Sequence, residues 1–235
     1  MPPIERPVAP GAVWTVVVAA GSGSRAGVRK QFVPVGGREL VSWAVEAASR
    51  AGDGVVLVVP ADEVAARAGG GAARVVAGGS TRSESVRAGL AAVPAEAEIV
   101  CVHDGARPFA SPALFAAVVA AVRAGADGAV PGVAVTDTVK VVDATGRVVA
   151  TPDRASLVAV QTPQAFAAGI LRRAHAGGGE GTDDAALVEA AGGTVVVVPG
   201  EATNRKVTRP EDLAWADAHA AHAAHEEHAA PAAPR

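Results

Sequence analysis

Three lysines, Lys30, Lys140 and Lys206, stand among the 21 cations of this 235-residue chain, and arginine fills the other places. In so arginine-rich a sequence each lysine is a candidate for work that a compact point charge does better than a guanidinium fork. Lys30 closes the most informative stretch, WTVVVAAGSGSRAGVRKQF, residues 14–32. Val16, Val17 and Val18 form a β-branched run that reads as a buried strand. Ala19-Ala20-Gly21-Ser22-Gly23 follows almost without side-chain bulk, so backbone N–H groups can come close to a ligand. Arg25, Arg29 and Lys30 then arrive within one short loop. A strand that opens into a backbone nest flanked by positive charge suits a polyphosphate.

These groups need a frame. Apolar runs at 15–20, 55–59, 74–77, 99–103 and 129–135 predict strands, and 39–50, 82–93 and 111–124 carry helical spacing between them. Ser111-Pro112 supplies an N-cap and a proline at the first helical position. The alternation predicts an α/β fold, a mainly parallel twisted sheet with helices on both faces. Binding sites in such sheets lie at the carboxyl ends of the strands. Segments 21–30, 78–85 and 104–107 all fall there.

Between Asp137 and Gln161 the alternation breaks. Val139-Lys140-Val141-Val142, a short turn at 143–146 and Arg147-Val148-Val149 read as a hairpin, and 157–160 as a further extended piece. Together they predict a protruding β-arm over about 137–161. Beyond it, 167–176 and 183–191 predict helices and 194–198 a strand. Thr208-Arg209-Pro210-Glu211 has capping-box spacing before a last helix ending near His222. One domain over 13–222 is expected, with residues 1–12 a disordered extension and 223–235 a disordered His/Ala/Pro tail. His219, His222, His225 and His228 recur every three residues. They read as a solvated, fraying helix face and stay outside the site.

Composition narrows the function. The chain is 50% apolar but only 3% aromatic, so its core must be packed from small aliphatics. A formal charge of −3 gives no general attraction to nucleic acid or an anionic membrane, and anion binding must come from local cation clusters. The single cysteine, Cys101, lies in an apolar run and predicts a buried thiol with no internal disulfide. No apolar run reaches membrane-spanning length, and the first residues lack a signal peptide's apolar core, so the cytoplasm is the expected compartment. Residues 21–26 also satisfy the dinucleotide pattern G-x-G-x-x-G/A. A dehydrogenase, however, needs an acid at the end of its second strand, where this chain has Pro60, and its helix start would be crowded by Arg25, Arg29 and Lys30.

Seven blocks together resemble the 2-C-methyl-D-erythritol 4-phosphate cytidylyltransferase family of the non-mevalonate isoprenoid pathway. They are AAGSGSR…KQF (19–32), GGSTRSESV (78–86), VHDGARP (102–108), TDTVK (136–140), DRASLVAVQTPQAF (153–166), GTDDA (181–185) and NRKVTRPEDL (204–213), in the family's order. The resemblance implies a Rossmann-like nucleotidyltransferase fold whose β-arm interlocks two subunits in a homodimer. It implies attack of the polyol phosphate on the α-phosphorus of CTP, with Mg²⁺ as cofactor.

Residue by residue, the resemblance places Ala19, Ala20 and Gly21 against the nucleotide, Arg25 and Lys30 on the triphosphate and Lys206 on the α-phosphate. Gly79 and Ser85 border cytosine and ribose, with Arg82 supporting that loop. Asp104 organises Mg²⁺ and the polyol hydroxyls, and Arg107 and Thr182 face the surroundings of the polyol phosphate. Thr138 and Arg154 on the arm reach the neighbouring subunit's substrate phosphate. For Arg25, Lys30 and Lys206 the functional reading outweighs a structural one. Arg29 reads as a solvated loop cation, although the loop between Arg25 and Lys30 is shorter than the family's and Arg29 is placed to share Arg25's work. Asp137 and Asp153 read as turn or cap residues. Asp183 and Asp184 read as complements to a helix N-terminus with Thr182 as its cap. Glu211 and Asp212 fall in a first helical turn, and His103 reads as a core histidine. A ribitol 5-phosphate cytidylyltransferase shares the nucleotide half of these motifs, and a catalytically silent nucleotide-binding regulator is the alternative from another class.

Overall fold

A computed structural model describes residues 11–21 and 29–229, with side chains as far as Ala221. Arg25 therefore lies outside the described residues, as do the N-terminal segment before Gly11 and the last six residues.

The valine runs become strands because β-branched side chains fit a pleated surface buried on both faces. β1 (Val13–Val18), β4 (Gly54–Val59), β5 (Arg74–Ala77) and β6 (Ile99–Asp104) form the parallel part of an eight-stranded sheet, in the order β6-β1-β4-β5. β2 (Pro34–Val35) and β3 (Arg38–Glu39) make a small separate ladder. On the other flank β7 (Gly128–Ala134) pairs in parallel with β12 (Val195–Pro199). β10 (Val158–Val160) and β11 (Gln164–Ala167) run antiparallel along successive stretches of β7, and β11 also joins β7 to β6.

Alternate strand residues feed two cores. On one face Val17, Val55, Leu57 and Val59 pack under α1 (Leu40–Ser49) and α4 (Pro112–Arg123), around Phe115. On the other Val16, Val56, Val58, Val100 and Val102 pack under α3 (Arg82–Ala92), α5 (Ala168–Ala176) and α6 (Asp184–Ala190), around Phe166. The period of two along each strand thus becomes helices on both sides. α2 (Val64–Arg67) is a single turn before β5. The last helix, α7 (Pro210–Ala229), packs Ala216 and Ala220 against Val35 and Leu40.

β8 (Val141–Val142) and β9 (Val148–Ala150) form the expected hairpin. Asp143 shapes its turn by accepting from Thr145 N at 2.9 Å and Arg147 N at 3.0 Å, and Gly146 takes the positive φ (82°) that other residues avoid. The extended piece at 157–160 departs from expectation. Instead of continuing the arm it pairs with β7 as β10, because leaving the arm brings it directly beside an open sheet edge. β11, unforeseen in the sequence, occupies the four residues before α5, where its short mixed pattern gives too little period to read.

Two helix starts also differ. Asp183, not Thr182, is the N-cap of α6, its carboxylate accepting from Ala186 N at 2.9 Å. At α7 Asp212, not Glu211, reaches back, accepting from Thr208 N and Arg209 N at 2.8 Å each. α7 begins at Pro210, one residue later than the capping-box spacing assumed, so its third residue is Asp212 and the acid four residues on from Thr208 makes the bonds. That helix also runs past His222 to Ala229.

Candidate active site

Strand ends β1, β4, β5 and β6 open onto a cleft of about 580 Å³, lined by the backbone of 18–21, the loop before α3, Asp104 and the segment 206–208. Ala19 N is held by Val58 O at 2.8 Å, and the carbonyls of Ala19 and Gly21 both accept from the buried Gln31 side chain, at 2.9 and 2.8 Å. Gln31 thus fixes the small-residue loop from behind and leaves its outer face to a ligand. Gly78 explains the absence of bulk on the opposite wall: a Cβ there would stand 2.3 Å from Ala20 Cβ. α3 begins with a complete capping box, Thr81 accepting from Glu84 N at 3.1 Å while Glu84 accepts from Thr81 N at 3.3 Å. Ser85, buried, donates to Thr81 O at 2.9 Å. This start points Arg82 into the cleft.

Asp104 ends β6 and is the centre of the charge array. Lys206 Nζ lies 2.7 Å from its Oδ2, and Arg82 Nε lies 3.6 Å from its Oδ1. Burial alone would raise the Asp104 pKa, but the charges of Lys206 and then Arg82 outweigh it and bring it down to about 2. Burial likewise opposes the Arg82 charge, and Asp184 followed by Asp104 outweighs that effect and raises its pKa. Lys30 donates to the carbonyl of Thr208, which joins the first loop to the segment that carries Lys206.

Lys206 reaches Asp104 because its segment is tied down at several points. Val207 N donates to Ala106 O at 2.8 Å, and the fully buried Asn204 donates to Thr162 O at 2.8 Å and to Gln161 Oε1 at 3.3 Å. Gln161 in turn donates to Glu201 O at 2.8 Å. His103 and Thr162 support Asp104 from below. Asp104 N donates to Thr162 Oγ1, Thr162 donates to His103 Nδ1 and His103 Nε2 donates to Arg107 O, each at 3.0 Å. Burial pushes the His103 pKa down to about 4, so it is a neutral brace at physiological pH.

The structure therefore brings Ala19, Ala20, Gly21, Lys30, Gly79, Arg82, Ser85, Asp104 and Lys206 to one cleft. Four expected residues lie off its lining. Arg107 turns to the carbonyls of Asn204 (2.7 Å) and Val160 (3.5 Å), and burial lowers its pKa. Arg154 donates to Thr136 O at 2.7 Å at the root of the arm, while Thr138 and Thr182 are exposed. Arg29 pairs with Asp62 at 2.8 Å and Glu63 at 3.1 Å, which commits it to the start of α2. Asp153 caps a short 3₁₀ turn, accepting from Ala155 N at 3.0 Å. Gln31, Asn204 and Asp184 carry roles that the sequence did not reveal. Their one signal is a polar residue inside an otherwise matching block, and burial becomes visible only after folding.

An open α/β sheet with a cation-lined cleft at its strand ends defines a Rossmann-like nucleotidyltransferase. A family model described as IspD: 2-C-methyl-D-erythritol 4-phosphate cytidylyltransferase matches residues 13–222. A relative from Nocardia farcinica, named 2-C-methyl-D-erythritol 4-phosphate cytidylyltransferase, is 47% identical over 215 residues, covering 88% of this chain and 93% of the relative. Among solved structures, the 4-diphosphocytidyl-2C-methyl-D-erythritol synthase of Anaerococcus prevotii superposes with a TM-score of 0.80 at 32% identity, covering 90% of this chain and 99% of that one. The cytidylyltransferase of Thermus thermophilus gives 0.75 at 38% identity, over 88% and 98%. The chain belongs to the 2-C-methyl-D-erythritol 4-phosphate cytidylyltransferase family.

Proposed function

We propose that the chain transfers a cytidylyl group from CTP to 2-C-methyl-D-erythritol 4-phosphate, giving 4-diphosphocytidyl-2-C-methyl-D-erythritol and pyrophosphate. The observation that carries this reading is the array Lys206–Asp104–Arg82 beside a backbone nest, in a chain 47% identical to a relative of that name. The substrate's phosphomonoester has a second pKa of about 6 and is largely dianionic at neutral pH, so attack needs no general base. A polyol phosphate oxygen forms a bond to the α-phosphorus as the bond to the β-phosphate oxygen breaks, and pyrophosphate carries away the electron pair. The protein's work is to align two polyanions and to meet negative charge as it builds on the α-phosphate. Lys30 and Arg25 serve the triphosphate, and Lys206, held at the cleft mouth by Asp104, serves the α-phosphate.

A divalent cation fits as a passenger of the triphosphate. Among the described residues no group of three or more His, Cys, Asp or Glu is arranged to hold a metal ion. One carboxylate at a strand end, Asp104, matches the way Mg²⁺ is held mainly by substrate phosphates and water. When bound, the ion would neutralise phosphate charge.

We further propose a homodimer in which Thr138 and Arg154 meet the polyol phosphate in the partner's cleft. Supporting this, the arm exposes Val141, Val142, Val148 and Val149 by 47–58%, apolar surface that none of the described residues covers. Among the described residues no helix is long and apolar enough to cross a membrane, and a reaction consuming CTP fits the cytoplasm. The test is pyrophosphate release by the purified protein with CTP and Mg²⁺, comparing methylerythritol 4-phosphate with ribitol 5-phosphate. Strong preference for the first is expected. Preference for ribitol 5-phosphate, or silence with both, would overturn the assignment.

A further inference from the structure

Behind the cleft lies a second carboxylate that the reaction does not touch. Asp184, the first residue of α6, has a side chain only 1% exposed. Its Oδ1 accepts from Nε2 of the buried His175 at 3.0 Å, and Arg82 NH2 stands 2.8 Å from its Oδ2. That second contact is a close ion pair between a guanidinium and a buried carboxylate. Arg82 is thus one cation stretched between two acids, close to the buried Asp184 and farther, at 3.6 Å, from Asp104 in the cleft.

We propose that Asp184, braced by His175, is a positioning residue that holds Arg82 back from Asp104 and so leaves Asp104 to pair with Lys206. Three features of the geometry lead there. The nearer partner of Arg82 is the one that cannot move, since it sits in the core between α5 and α6. Among the described residues Asp104 has one short ion pair, and it is with Lys206. Asp183 also acts on Arg82, but its carboxylate already caps α6. An arginine released from Asp184 therefore has Asp104, 3.6 Å away, as its other ion-pair partner among the described residues, and guanidinium prefers a two-point grip on a carboxylate. Arg82 would then compete with Lys206 for Asp104, and Lys206 would lose the contact that fixes its ammonium at the cleft. Asp184 touches neither substrate nor reacting atoms, and it acts through Arg82.

The inference rests on the reaction proposed above, so wild-type turnover with CTP and methylerythritol 4-phosphate is measured first. Its absence would count against that reading alone. The variants are Asp184→Asn, Asp104→Asn and their double, made in the full chain, with calorimetric CTP affinity beside turnover. Asp184→Asn is expected to lower kcat roughly tenfold or more through lost alignment, with CTP affinity within about twofold. Added to Asp104→Asn it should cost almost nothing further, because the residue it protects is already gone. A folded Asp184→Asn with wild-type kcat, or losses that multiply fully in the double variant, would overturn the proposal.

If Asp184→Asn fails to fold, His175→Gln, which loosens the brace on Asp184 and leaves the cleft residues in place, carries the same cycle, and full multiplication with Asp104→Asn there would overturn it equally. A crystal structure of a folded variant provides a readout independent of turnover. Asp184→Asn should show Arg82 turned onto Asp104 and Lys206 displaced, and an unchanged Asp104–Lys206 pair would contradict the account.

Discussion

The cleft and the arm are built on opposite principles. Around the cleft the working groups among the described residues are gripped by their own chain: the Asp104 carboxylate by Lys206 and its backbone N–H by Thr162, Lys30 by Thr208, and the small-residue loop by Gln31. In the arm, β8 and β9 pair, among the described residues, only with each other and their valines face solvent. A region that satisfies its own polar groups and buries its own apolar ones is finished within one chain. A region that does neither presents surface for something else. The proposed homodimer builds on this contrast, taking the nucleotide half of the site from one subunit and the polyol-phosphate half from the arm of another.

The largest effect should come from the finished side. Lys206→Ala removes a charge needed most as the α-phosphate is attacked, and kcat should fall by about 10²–10³ with CTP affinity nearly unchanged. Equal losses in turnover and CTP binding, read by steady-state kinetics and calorimetry, would make Lys206 a simple ligand for the nucleotide. Arg154→Ala tests the unfinished side. It should raise the KM for the polyol phosphate roughly 10–100-fold, the worth of one charge-assisted hydrogen bond, and leave CTP binding alone. A loss confined to CTP would place Arg154 in its own chain's cleft.

A third test concerns the brace under Asp104. Burial brings the folded pKa of His103 down to about 4, against an ordinary value near 6.5. The unfolded chain therefore binds the extra proton first, so stability is fully present above about pH 6.5 and declines as pH falls toward 4. Asp104, depressed to about 2, contributes stability above its ordinary value that is lost only as pH falls from near 4 toward 2. Melting temperatures between pH 7 and 4 should drop, and His103→Gln should flatten that drop. An unchanged slope would separate His103 from the acid sensitivity. The smallest effect belongs to Arg29→Ala. Its solvent-screened pairs with Asp62 and Glu63 contribute little to stability, and turnover should stay as in the wild type. A marked rise in the KM for CTP would bring Arg29 back to the triphosphate.

The same contrast explains what could be read from the sequence. The strands of the cleft side announce themselves as valine runs, and the strand-to-loop exits carry glycine and cations in recognisable order. Asp104 was legible as a charge at a strand end, and Lys30 and Lys206 as two of only three lysines in an arginine-rich chain, each inside a matching block. β11 and the sheet-borne role of β10 were not, since a four-residue strand and a three-residue strand carry almost no period and their place depends on which sheet edge lies open. Asp184, correctly placed at a helix start, was read only in part for a related reason. The sequence shows two adjacent acids before a helix, and only the fold makes Asp183 the cap and turns Asp184 inward to Arg82 and His175.

The claim that one site draws on two chains is tested most directly by mixing damage. Chains carrying Lys206→Ala and Arg154→Ala are co-expressed with different tags, and the mixed dimer is purified and assayed for pyrophosphate release at polyol phosphate near the wild-type KM, where both parents turn over slowly. In a two-fold dimer with shared sites, one site receives both defects and the other none, so about half of the wild-type activity should return. A mixed dimer as inactive as its parents, or no mixed dimer at all, would contradict the account.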